Sequence, residues 1–199
     1  MKRLLVCAVV VLLAVPLMAS TSTVLDNLQT AFNGESNAHA RYLEFATKAD
    51  QDGYGQVASL FRAAARAEQI HAANHAVVIR KLGATPQAKV EKPAVASTAE
   101  NIQAAIKGEV YERDVMYPEF LKQARAERNA DAIETFSFAK NAETEHARLY
   151  SEASTKLDSL KGGGVTYYVC SVCGYTTTKL DFQKCPSCFN PKEKYVAVS

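Results

Sequence analysis

No stretch of this 199-residue sequence carries a strong excess of one charge: 23 Lys+Arg stand against 21 Asp+Glu. A basic block is therefore missing, and with it the electrostatic footprint of a nucleic-acid binder. Also missing is an apolar run long enough to cross a bilayer, which takes about 20 residues. The longest such run, Leu4 to Met18, has fifteen residues and is interrupted by Pro16. Preceded by Lys2 and Arg3 and followed by Ala19 and Ser20, it has the plan of a secretory signal peptide. Residues 1–19 are expected to be removed on export, most simply to a periplasm, with an uncleaved membrane anchor as the alternative. Removing them leaves 21 basic and 21 acidic residues, a formally neutral chain. Cysteine is absent from position 8 to position 169. Whatever chemistry resides in that long middle region does not use thiolates.

What the middle region has is helical periodicity. Leu25, Leu28, Phe32, Ala38, Tyr42, Phe45 and Ala49 mark a first helix from Thr23 to Gln51. "DGYG" at 52–55 is a turn, and a second helix runs from about Gln56 to Leu82, before Gly83. Residues 84–97 contain two prolines and no period. Ser97 and Glu100 form a capping-box pattern that opens a third helix, which runs to about Glu127 with Pro118 expected to bend or interrupt it. A fourth helix follows from about Ala130 to Leu160. Two hairpins joined by a connector of about fourteen residues, roughly 3.3 Å each when extended, predict a four-helix bundle with one long crossover, the plan of ferritin-like folds. "KGGGV" at 161–165 is a flexible hinge. The last 35 residues, rich in Tyr and Thr, read as short strands and turns.

The bundle repeats itself chemically. Glu35 precedes Glu68 by 33 residues, and Glu109 precedes Glu143 by 34. Each second member opens a Glu-x-x-His motif, "EQIH" with His71 and "ETEH" with His146. Residues three apart share a helix face. Four carboxylates on core-facing positions cannot be buried without cations. Carboxylate oxygens plus two imidazoles favour Fe or Mn over a thiolate-preferring metal, and the arrangement is that of a dinuclear site in a bundle core. The halves differ at one position: Ala38 stands three residues after Glu35, but Glu112 stands three after Glu109. His39 and His75, each one turn from a proposed ligand, are expected to be solvated or to support the ligands. Glu145 points off the ligand face.

The four remaining cysteines fall as "CSVC" (Cys170, Cys173) and "CPSC" (Cys185, Cys188), eleven residues apart. Two C-x-x-C knuckles build a tetrahedral S4 site for Fe or Zn; a pair of disulfides is the alternative in an exported chain.

"GESNAHARYLEFA", "AEQIHA", "GEVYERDVMYPEF" and "AETEHA", followed by the four-cysteine module, resemble the rubrerythrin family from about Val24 to Ser199. The resemblance implies an all-α ferritin-like di-iron bundle (23–161) and a small β-rich rubredoxin-like module (165–199) holding one iron, or alternatively zinc. It implies Glu68 and Glu143 as bridges, Glu35 and Glu109 as terminal ligands and His146 on the Glu109 metal. Glu112 and His71 would exchange at the other metal, and Tyr42 and Tyr117 would hydrogen-bond site carboxylates. It implies a peroxidase reducing hydrogen peroxide to water, fed by an external electron-donor protein through the Cys module. The module of one subunit would serve the other in a head-to-tail homodimer. Two departures weigh toward zinc: Phe189 stands where glycine is usual, and the spacing between the pairs is short by about one residue. With zinc, a ferroxidase or iron-binding role becomes the alternative.

Overall fold

The computed structural model describes residues 23–199; the expected signal segment lies outside them. Helix α1 (Val24–Gln51) starts at a Thr23/Asp26 capping box and pairs with α2 (Gly55–Lys81) in a tight hairpin. The third bundle helix has three parts. These are α3 (Thr98–Tyr111), a π-helical turn Glu112–Met116, and α4 (Tyr117–Ala126). Helix α5 (Ala130–Thr155) completes the bundle and passes through a 3-10 turn, Leu157–Leu160. The expected interruption by Pro118 thus takes a specific form. Pro118 lies at the start of α4, where its missing N–H is tolerated. The strain is absorbed before it, as the Tyr117 amide reaches back five residues to the Glu112 carbonyl. Among the described residues no helix is long and apolar enough to cross a membrane.

The long crossover is pinned to α1 by side-chain amides. Gln29 donates to the Thr85 carbonyl (2.8 Å) and accepts from the Gln87 amide (3.1 Å). Asn33 accepts from Lys89 N (2.8 Å), and Asn37 accepts from Glu91 N (2.9 Å) while donating to Lys89 O (3.0 Å). Four residues of helix rise roughly 6 Å, and two residues of extended chain rise roughly 6.6 Å. Helix positions 29, 33 and 37 therefore stay in step with chain positions 87, 89 and 91. The crossover delivers the chain to the other end of the bundle, where Asp52 accepts from Thr98 Oγ1 (2.7 Å) at the start of α3.

The bundle core is divided. One apolar cluster is built around Tyr42, Phe45, Phe61, Ile102 and Tyr150; another around Leu28, Ile79, Met116, Leu121 and Phe136. Along every helix the Glu and His motifs fall between them, so the middle layer of the core is polar. Charged side chains there need partners of their own kind.

The C-terminal module is a three-stranded antiparallel sheet in the order β2-β1-β3: β1 (Tyr167–Cys170), β2 (Thr176–Thr177) and β3 (Tyr195–Val198). It lies against α2 and α5 of its own chain. Asn74 donates to Val172 O (2.9 Å), Arg62 to Ser199 O (2.7 Å) and Asn141 to Ser187 Oγ (3.2 Å). The linker is drawn in where Gly55 N bonds Gly162 O (3.1 Å); a Cβ on Gly55 would meet that oxygen at 2.3 Å.

Candidate metal centre

Each helix brings its acidic motif to the middle layer. Glu35, Glu68, Glu109, Glu143, His71 and His146 are all buried, at 0–1 % exposure. Two groups of ligand atoms result: Glu35, Glu68, His71 and Glu143, and Glu68, Glu109, Glu143 and His146, the atoms of each within 4.8 Å of one another. Glu68 and Glu143 belong to both. Their oxygens divide between the imidazoles. Glu143 presents Oε1 to His71 Nδ1 (3.1 Å) and Oε2 to His146 Nδ1 (2.9 Å). Glu68 presents Oε2 to His71 Nδ1 (2.9 Å) and Oε1 to His146 Nδ1 (3.4 Å). This is a bridging geometry. Glu35 lies on the His71 side (3.9 Å) and Glu109 on the His146 side (3.6 Å).

The unpartnered atoms test whether metals fit. Among the described residues, eight buried side-chain N or O atoms lack a hydrogen-bond partner, and six belong to this cluster. They are Glu35 Oε2, Glu68 Oε1, Glu109 Oε2, both Glu143 oxygens and His146 Nδ1. Orphaned buried polar atoms are rare and demand an explanation. A pair of cations supplies it, and the donor set is that of a dinuclear carboxylate centre. The other oxygens of the terminal ligands are already occupied. Tyr42 donates to Glu109 Oε1 (2.6 Å), and Tyr117 donates to Glu35 Oε1. Each terminal glutamate thus keeps one oxygen free.

The electrostatics point the same way. Burial, with the charges of Glu68, Glu112 and Glu143, drives Glu35 well above the usual carboxylate range. Burial and the Glu143 and Glu68 charges push Glu109 up to about 8. Burial opposes charge on His71, but Glu143 and Glu68 overcome it and raise that imidazole to about 10. His146 is likewise raised well above its ordinary value, by Glu109, Glu143 and Glu68 against burial. Glu68 and Glu143 stay low despite burial because both imidazoles, held in their charged form, lie against them. Protons balance the carboxylates where cations are not supplied, and cations would displace them.

Glu112 stands apart. It lies in the π-helical turn, half-buried, outside both ligand groups. Burial and the charges of Glu109, Glu143 and Glu68 hold its carboxyl high. It lines a groove of about 410 Å³ with Gly34, Tyr111, Val115, Met116 and Phe120.

The four cysteines are free and form one cluster, Cys170–Cys188 at 3.7 Å and Cys173–Cys185 at 3.6 Å between sulfurs. All four sulfurs lie within 4.8 Å of one another, as a tetrathiolate metal site requires and two separate disulfides do not. Phe189 adopts φ +58° and is 71 % exposed, holding a left-handed position that glycine takes without strain.

The module reaches both ligand histidines. His71 Nε2 donates to the Cys173 carbonyl (3.1 Å), and His146 Nε2 donates to Thr176 Oγ1 (3.0 Å), whose hydroxyl passes on to Gly174 O (3.1 Å). With Nε2 protonated, each imidazole keeps Nδ1 for a metal. Gly174, at φ +78°, sits so close that a Cβ would meet His71 Nε2 at 2.2 Å. The module is seated on the bundle of its own chain. Thr176 and Gly174 were not singled out by sequence. Only Gly174, in "CSVCGY", left a signal there.

A rubrerythrin family model matches residues 26–154. This chain belongs to the rubrerythrin family. Nigerythrin of Nitratidesulfovibrio vulgaris is 37% identical, over 89% of this chain and 88% of that protein. Rubrerythrin-2 of Clostridium acetobutylicum is 37% identical, over 86% of this chain and 95% of that one. The solved structure of fully reduced, all-ferrous nigerythrin superposes with a TM-score of 0.82 at 37% identity, over 90% of this chain and 89% of that chain. A bacterioferritin of Desulfovibrio desulfuricans, 23% identical with a TM-score of 0.64, shares the bundle fold. Rubrerythrins are in general oxidoreductases, and the carboxylate–histidine cluster and the four thiolates are the two metal sites such a protein carries.

Proposed function

We propose that this protein reduces hydrogen peroxide to water at a di-iron centre, with electrons from an external donor protein passing singly through an iron at the four cysteines. The observation that carries this reading is the bond from His71 to Cys173 O, matched by that from His146 to Thr176. A thiolate site whose backbone bonds a ligand imidazole is placed to feed electrons. Iron storage would need no such link. When bound, two ferrous ions supply the two electrons that split the O–O bond. The residues do the rest. Glu68 and Glu143 would hold both metals, and Glu35 and Glu109 would close the two ends. By the resemblance, His71 and Glu112 would alternate at one position, and the groove at Glu112 would give a small polar oxidant a way in. Tyr42 and Tyr117 hold protons beside the terminal carboxylates.

A second reading starts from Phe189, which stands at a left-handed position where glycine is usual and so weakens the assignment of iron over zinc. A zinc-bearing module would move the activity toward ferroxidation. Anaerobic metal analysis with visible spectra, before and after peroxide, decides between them. Iron in the Cys site and a ferric–thiolate band rising within the first turnover support the peroxidase. Zinc there, with no such band, overturns it. The reading extends to an exported homodimer with residues 1–19 removed. Intact mass of the purified periplasmic protein tests the cleavage.

A further inference from the structure

His75 is buried at 0% exposure and belongs to neither ligand group. It follows His71 by one turn, and its ring lies against Phe136 (5.5 Å) and Tyr117 (6.1 Å). Both ring nitrogens have partners: Nδ1 meets Thr135 Oγ1 at 2.9 Å, and Nε2 meets the Tyr117 hydroxyl at 3.1 Å. The directions follow from proton counting. Tyr117 has one hydroxyl proton and donates it to Glu35 Oε1. His75 Nε2 must therefore donate to Tyr117, and Nδ1 must accept from Thr135. The result is a one-way string, Thr135 to His75 to Tyr117 to Glu35, every member donating toward the carboxylate. In a neutral imidazole one nitrogen donates and the other accepts, which is the pattern these two contacts call for.

The other half of the bundle is built differently. Four residues after His146 stands Tyr150 in place of an imidazole, and the group beside Tyr42, which serves Glu109, is the Arg41 guanidinium, hydrogen-bonded to Tyr42 and 5.4 Å from its ring.

We infer that His75 is a positioning residue of the metal centre: with Thr135 it fixes the Tyr117 hydroxyl so that Glu35 gives one oxygen to Tyr117 and leaves the other for a metal. This rests on the dinuclear reading above. It would give the metal position on the His71 side a fixed terminal ligand.

The test is Co(II) titration of the full-length protein after metal removal. Total cobalt per chain is counted by metal analysis and Cys-site cobalt by its thiolate charge-transfer bands, and the difference is the bundle cobalt. Wild type is expected to take two Co(II) into the bundle, and Glu35→Gln to lose one, which identifies that site. His75→Phe should weaken the same site about tenfold or more and leave the other unchanged. His75→Gln, which restores a donor toward Tyr117, should recover most of the loss. Combining His75→Phe with Tyr117→Phe should cost no more than Tyr117→Phe alone, because both act through one bond. Equal weakening of both sites, no weakening, or fully additive losses would overturn the proposal. Should His75→Phe fail to fold, Thr135→Val breaks the string at its far end, and the same site-selective loss is expected. Fewer than two bundle cobalts in wild type would remove the dinuclear reading, and this proposal with it.

Discussion

Glu143 faces the two ligand histidines with different oxygens, so its replacement acts on both metals at once. Glu143→Gln is expected to lose both bundle metals, whereas Glu109→Gln loses only the one beside His146. Metal analysis of the purified variants checks the difference. Acidity acts through the same residues. Glu109, raised to about 8, and His71, raised to about 10, bind more protons in the folded metal-free protein than in the unfolded chain. Such groups stabilise at low pH and lose that contribution as pH rises through the folded values. Glu68 and Glu143, held low, act in the opposite sense only in acid. The metal-free protein should therefore melt at a lower temperature at pH 9 than at pH 6, and the metal-loaded protein should show a much smaller difference. Calorimetry of both forms measures it. The clustering of these six buried side chains was legible in sequence because Glu-x-x-His fixes a helix face and the 33- and 34-residue intervals fix partner helices. Thr135 and Thr176 were not legible. A threonine at the end of a hydrogen bond leaves no periodic trace, and its partner lies 60 or 30 residues away.

At the scale of elements, the helices were read from apolar spacing to within a few residues, and the fourth ended short, at Thr155, in a 3-10 turn. The π-helical turn was only half legible. Pro118 announces a break, but whether a kink, a gap or an inserted residue results depends on what packs around it. Here the wider turn carries Glu112 to the groove while Tyr117 still faces Glu35. Deleting Asp114 from it should restore ordinary helix geometry and rotate Glu112 against Tyr117. Peroxide turnover should be lost with helical circular dichroism retained. The crossover gave no sign of its amide ladder, since the match of helix rise to strand rise exists only once the register is set. Asn33→Ala removes one rung and should cost about 1 kcal/mol in denaturant unfolding of the metal-loaded protein.

At the scale of the molecule, seating the module on the bundle joins two sites that sequence could describe only separately. The linker "KGGGV" contains nothing that specifies where it leads. Gly174 is the contact at which the join can be broken. Gly174→Ala would place a methyl against His71 at a left-handed backbone position. The variant should keep four thiolates and both bundle metals. Stopped-flow spectra should show slower oxidation of the Cys iron after peroxide, by about tenfold or more.

The divided core has one more implication, for ancestry. Each half of the bundle is a hairpin bearing one glutamate and one Glu-x-x-His, so two copies of a single hairpin would already enclose a symmetric centre. Identical copies, however, must treat both metals alike. Once both hairpins lie on one chain they are free to diverge, and they have done so around the metals. Ala38 in the first half corresponds in sequence to Glu112 in the second, and His75 to Tyr150. A duplicated gene can give two chemically equivalent positions different tasks, one to hold fast and one to turn over.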